Sequence, residues 1–251
     1  MCTVTYIPTG KDTYILTHNR DESIKRPLAS PPVKRKLEEK FTVYPVDPVG
    51  MGTWVGFSDE GRVASLLNGG TERHEHNPPY RHSRGLVIPA LFKYKSFIEF
   101  YTGFDFEGLE PFTLLVFEHG NIYELIHNEN ATRFQSLDSE KPFIYSSSTL
   151  YSDSRIQERK LKFLEWFFLT DQIDQQKILD LHRQFRFEKE ADQSLIPAGH
   201  ILKTVSITSV VKGNDKLRMD YFDVVNDIHL WKALDFTQTL SLDSEVFQGS
   251  E

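Results

Sequence analysis

Cysteine is almost missing from this chain. Its 251 residues contain one, Cys2. A single thiol forms no internal disulfide, which fits a reducing, cytoplasmic setting. Long apolar runs are missing too. No window approaches the roughly 18 consecutive apolar residues that a membrane helix needs. The N-terminus lacks the charged-then-apolar pattern of a secretory signal. Positive charge is not in excess: formal net charge is −7 and the sequence pI is about 5.7. Nothing therefore resembles the basic stripe that nucleic acid requires. Neither HExxH, an EF-hand loop nor a CxxC pair occurs. His74, His76 and His82 crowd one loop with Pro78 and Pro79, and read as solvated side chains rather than a zinc site. No glycine-rich phosphate loop opens a helix, and strands do not alternate with helices, which excludes a dinucleotide-binding fold. No metal or cofactor is expected.

What is present is material for a large core. Hydrophobic residues make up 39% of the chain, and 19 are Phe. The length suits one domain over 1–251, with the final SLDSEVFQGSE as a loose tail. Residues 2–7 and 13–18 are β-branched and aromatic, and they flank a turn at Gly10. GTWVGFS and RVASLLN flank Asp-Glu-Gly in the same way. FTLLVFE and IYELIH make a third hairpin, TVSITSVV and LRMDYFDVV a fourth. KRPLASPPVKRKLEEK reads as a charged surface excursion. Helical spacing runs from about Leu86 to Phe100, limited by Pro89. Asp153–Leu169 and ILDLHRQF are two further amphipathic helices. Hairpins interrupted by a helical block predict a layered α+β domain built on antiparallel sheets.

The first hairpin makes a geometric prediction about Cys2. With a Gly10-Lys11 turn, Cys2 lies opposite Asn19, and Asn19 and Asp21 share its face. An odd loop or a bulge puts His18, Arg20 and Glu22 there instead. Either register brings a charge cluster to the one thiol. A thiol has a pKa of about 8.5, and its thiolate is the nucleophile. Arg20 would lower that pKa. Removal of Met1 would free the α-amine of Cys2, whose pKa of about 7.7–8.0 suits it as a base. Asp21 could orient that amine by a charge-assisted hydrogen bond. Weighed against this, a lone cysteine in a strand is usually a small buried hydrophobe.

Two residues of the second hairpin extend the candidate site. Asn68, followed by Gly69 and Gly70, ends a strand and could donate to a developing oxyanion, although Asn-Gly is also a plain turn signal. Trp54 pairs across the hairpin near Leu66 and could wall a pocket.

These motifs, in this order, resemble the NRDE family, the family of the transport and Golgi organisation protein. The resemblance rests on Met-Cys, His18-Asn19-Arg20-Asp21-Glu22, Arg26-Pro27, GTWVGFSDEGRVASLLN and Ser83-Arg84-Gly85, with PFTLLVF beyond them. It implies an N-terminal-nucleophile (Ntn) hydrolase-like fold: a four-layer αββα sandwich with two antiparallel sheets. It also implies a distant kinship with cysteine amidases. In those, an N-terminal Cys is followed by Arg-Asn-x-Asp; here Cys2, Asn19 and Asp21 match, and His18 stands at the Arg position. Two positions depart from the family pattern. Ser147 stands where an Asn is expected, and Val205 where an Arg is expected. The resemblance links the family to Golgi organisation, haem mobilisation and lipid metabolism.

Two functions follow as expectations. In the first, Cys2, Arg20, Asp21 and Asn68 carry out hydrolysis of a small amide, with His18, Asn19, Glu22 and Trp54 around the substrate. In the second, the same fold holds a hydrophobic molecule such as haem or an acyl lipid without turnover. The expected partner in both is a small molecule, with no nucleic acid and no membrane span.

Overall fold

The computed structural model describes residues 2–71, 73–129, 131–187 and 201–235. The expected C-terminal tail lies outside the described residues. Two antiparallel sheets form the body. The first contains β1 (Cys2–Gly10), β2 (Thr13–Ser23), β10 (Phe143–Ser146), β11 (Leu202–Lys212), β12 (Lys216–Asp223) and β13 (Ile228–Asp235), in the order β10-β1-β2-β11-β12-β13. The second runs in simple sequence order through β3 (Ser30–Leu37), β4 (Lys40–Val46), β5 (Val55–Ser58), β6 (Val63–Asn68), β7 (Phe112–Glu118), β8 (Asn121–Asn128) and β9 (Ala131–Leu137).

Period-2 alternation sends each strand's side chains to two different cores. On β6 and β7, Val63, Leu67, Leu115 and Phe117 point between the sheets. Ala64, Leu114 and Val116 point the other way, against α1 (Val87–Leu91) and α2 (Phe97–Gly103). On the first sheet, Cys2, Val4 and Leu16 face the inter-sheet core. Ile7 and Ile15 face α3 (Asp153–Leu169) and α4 (Gln175–Gln184), meeting Phe163, Ile178 and Leu181. The layers are therefore helix, sheet, sheet, helix, the expected α+β sandwich. Fully buried Phe97, Phe100 and Phe112 anchor one outer core, each stabilising by about 1.5–3 kcal/mol.

All four expected hairpins form. The third turns through His119 and Gly120 at φ 49° and 77°, the left-handed pair that matches strand twist. The long helix falls on Asp153–Leu169 as its periodicity predicts. The helix expected from Leu86 to Phe100 is broken: a 3-10 turn at Arg84–Leu86, then α1, then α2, which Ser96 caps by accepting from the Glu99 N–H at 3.1 Å. The basic, proline-rich excursion is also corrected. It contains β3, an edge strand whose pairing with β4 slips between Ser30 and Val33. Pro31 and Pro32 fall in that slip, at an edge where a missing N–H costs least.

Candidate functional site

The first hairpin takes the bulged register. Its turn is Lys11-Asp12, and Thr9 is skipped between the pairs Pro8–Tyr14 and Gly10–Thr13. Cys2 therefore pairs with Arg20, and Thr3 with Asn19. The one-residue shift decides which half of the charged motif meets the thiol. His18 and Arg20 share the inter-sheet side with Cys2. Asn19 and Asp21 turn to the helices instead.

Cys2 and Arg20 line a cavity of about 140 Å3 together with Glu22, Asp47, Trp54 and Asn68. Cys2 is 2% exposed. Burial pushes its thiol pKa up; Asp21 adds to the rise and Arg20 opposes it. The Arg20 guanidinium lies over the Trp54 ring, 4.7 Å from its centre, a cation–π contact. Arg20 also donates to Asp47, which holds Arg26 by a bidentate pair at 2.7 and 2.9 Å. Burial would raise the Asp47 pKa, but Arg26, the Gly50 N–H and Arg20 together bring it down to about 2. Asp47 is thus a fixed anion that holds Arg20 beside the thiol.

The sequence explains why the wall closes here. A Cβ on Gly52 would overlap the backbone of Gly85, so the Gly-Thr-Trp and Ser-Arg-Gly motifs are where two segments of the chain touch. The Thr53 N–H donates to the Gly85 carbonyl at 2.9 Å across that contact. Arg84 pairs with Glu110 at 3.0 Å. Burial lowers its pKa, and Glu110 works against that. The small cavity shares Glu22, Arg26, Asn68, Ser83 and Arg84 with a wider groove of about 870 Å3. His74 and His76 line that groove and approach one Glu110 oxygen at 3.3 and 3.1 Å. His74 is thus packed against a carboxylate rather than wholly solvated. No metal-binding cluster of three or more ligands occurs among the described residues.

Ser147, at the position where an Asn was expected, has a different job. Its N–H donates to the Cys2 carbonyl at 2.9 Å, and its hydroxyl donates to the Asn68 carbonyl at 2.5 Å. It ties the thiol strand to the Asn68 strand end. Val205 is buried, and its carbonyl accepts from the Val224 N–H at 3.0 Å.

Behind the thiol strand lies a polar layer that the helices complete. Asp21 accepts from Thr204 at 2.6 Å and from Tyr151 at 3.1 Å. Burial raises its pKa to about 6, against the pull of those donors and of nearby Arg159. Arg159 donates to Thr3 and to the Phe185 carbonyl. The His182 ring bonds Thr5 at 2.7 Å and Asn19 at 2.8 Å. Burial lowers the His182 pKa to about 3, so the ring is neutral near pH 7. On the inter-sheet side, His18 Nδ1 meets Ser65 Oγ at 2.8 Å. Burial, the chief cause, holds that ring neutral as well.

Of the eight expected site residues, Cys2, Arg20, Glu22, Trp54 and Asn68 line one cavity. Asn19 and Asp21 sit behind it, and His18 lies deeper between the sheets. Asp47 was missed, although the turn that follows it, Pro48-Val49-Gly50, is a readable signal. Thr3, Thr5, Tyr151, Arg159, His182 and Thr204 were missed because each meets its partner across a long stretch of chain.

The family model described as "Transport and Golgi organisation 2" matches residues 1–213. No curated protein matches the sequence. Among solved structures, the chain is similar to the Caenorhabditis elegans N-acylethanolamine-hydrolyzing acid amidase ortholog. The identity is 11%, the TM-score 0.54, and the match covers 84% of this chain and 92% of that one. It is also similar to a mutant conjugated bile acid hydrolase from Clostridium perfringens, at 8% identity and TM-score 0.56, covering 97% of this chain and 99% of that one. At such identities the likeness shows the fold, which is that of the Ntn hydrolases.

Proposed function

The chain belongs to the transport and Golgi organisation 2 family, and we propose that it is a cysteine-nucleophile hydrolase of a small amide. One observation carries the reading: Cys2 sits directly opposite Arg20, and both line one cavity with Asn68. The titles of both solved structures named above describe hydrolases, and the chain shares their fold.

In the proposed reaction, Met1 is first removed, freeing the α-amine of Cys2. That amine takes the thiol proton, and the sulfur attacks the amide carbonyl. Asn68 stabilises the oxyanion. The C–N bond breaks, and the leaving nitrogen takes the proton back from the α-ammonium. Water then attacks the thioester and releases the carboxylic acid, and the thiol is restored. Arg20, fixed by Asp47, supplies positive charge beside the sulfur. Asp21, one residue beyond the Cys2 partner, orients the amine from the strand end.

The test is intact-protein mass during incubation with N-acyl p-nitroanilides of increasing chain length. The reading predicts a chain lacking Met1, nitroaniline release, and an acyl adduct on Cys2. No release by wild type, or equal release by Cys2→Ala, contradicts it.

A second reading, a carrier of a hydrophobic molecule such as haem or an acyl lipid, is favoured by Ser147. Its hydroxyl is committed to the Asn68 carbonyl, which leaves that position without an oxyanion donor. A haem Soret shift abolished in Cys2→Ala, with no hydrolysis, would support the carrier.

A further inference from the structure

The opposite end of the sandwich holds a cavity unrelated to Cys2. Pro8 lines it, six residues along β1 from the thiol, a separation of about 20 Å at strand rise. Its volume is about 590 Å3, within the roughly 300–1,000 Å3 of small-molecule sites. Two hairpin ends frame it: the Lys11-Asp12 turn of the first sheet and the His119-Gly120 turn of the second.

Its inner wall is aromatic. Tyr14 and Phe117 rings lie 5.0 Å apart, and Tyr6 stacks on Phe117 at 5.4 Å. A Cβ on Gly120 would meet nothing within 4 Å, so that wall has space beside it. The buried charges at its edge are matched. Lys212 pairs with Asp12 at 2.6 Å, and Glu118 pairs with Arg62. An occupant therefore has no net charge to neutralise. The Tyr6 hydroxyl is used, donating to the Ser139 carbonyl at 2.7 Å. The Tyr14 hydroxyl is not: Tyr14 is 3% exposed, and its oxygen has no hydrogen-bond partner. A buried hydroxyl without a partner is uncommon and calls for an explanation.

We propose that this cavity is a second binding site, for a small neutral aromatic molecule whose carbonyl or hydroxyl oxygen accepts a hydrogen bond from Tyr14. The molecule's ring packs on Tyr6 and Phe117. Burial keeps the Tyr14 hydroxyl well above its usual pKa, so it stays a donor. Because the hydroxyl is shielded, entry of the ligand shifts the Tyr14 ring.

The test uses the full chain and two probes. Acetophenone carries the acceptor; α-methylstyrene has the same shape with a methylene in place of the oxygen. Binding is followed by 15N-edited NMR. Acetophenone is expected to shift the amides of Asp12, Tyr14, Gly120 and Ile122 and to leave those of Arg20, Asn68 and Arg84 unmoved. Tyr14→Phe is expected to weaken acetophenone at least five-fold while changing α-methylstyrene less than two-fold. The styrene also reports whether the variant keeps the cavity. No shift at this end with millimolar acetophenone overturns the proposal, as does an equal loss of both probes in Tyr14→Phe.

Discussion

The two faces of the β1–β2 strand pair differ in what they ask of their polar residues. Facing the second sheet, Cys2, Arg20 and Glu22 border an open cavity. Facing the helices, Thr3, Thr5, Asn19 and Asp21 are enclosed by Tyr151, Arg159, His182 and Thr204. Successive residues of one short motif thus have separate jobs. The odd positions of the Asn-Arg-Asp-Glu stretch fix the strand from behind, and the even ones present charge to the thiol. A buried polar layer is costly unless every member is satisfied, so damage behind the strand should act first on stability, with Asp21 acting on both through its proposed hold on the amine, and damage in front on chemistry.

The largest effect is expected behind the strand. Arg159→Ala removes a cation that stabilises the buried Asp21 carboxylate and the donor to Thr3. It should cost about 3–5 kcal/mol, read by urea denaturation. A loss below about 1 kcal/mol would break the contrast between the faces.

Next comes the pH dependence of Asp21. A carboxyl whose folded pKa is about 6, raised from 3.8, binds its proton more tightly folded than unfolded. Its contribution is therefore complete below about pH 4 and is lost as pH rises through 6, a swing of about 3 kcal/mol. Asp21→Asn should gain up to that amount at pH 8 and little at pH 4. The opposite slope belongs to His182, whose folded pKa of about 3 lies below the ordinary 6.5. Its contribution is present above 6.5 and lost as pH falls toward 3. His182→Gln should flatten the acid limb of the stability curve, measured by denaturation between pH 4 and 7.

Ser147 lies between the two regimes. Ser147→Ala removes the 2.5 Å bond to the Asn68 carbonyl but keeps the backbone tie to Cys2. A loss of about 1 kcal/mol is expected. Ser147→Asn asks whether this position can regain an oxyanion donor: nitroaniline release should rise if the tie can be spared.

How much of this was legible in the sequence varied with the range of the contact. Hairpins were readable because turn residues and period-2 patterns are local. The bulge at Thr9 was not, since nothing in Pro8-Thr9-Gly10 favours one register over the other, and that single residue assigned Arg20 rather than Asp21 to the thiol side. Edge strand β3 hid behind two prolines and a basic run. Arg159 and His182 lie within segments that read only as amphipathic helices; their placement over Thr3 and Thr5, more than 150 residues away, makes them part of the thiol strand's support.

The central claim is that Cys2 is an N-terminal nucleophile. The most direct measurement is the intact mass of the purified chain before and after a brief incubation with iodoacetamide at pH 7, with the modified residue located by peptide sequencing. The account predicts a chain that lacks Met1 and gains one carboxamidomethyl group on Cys2, more slowly in Arg20→Leu. A chain that keeps Met1 and stays unmodified at Cys2 would contradict it.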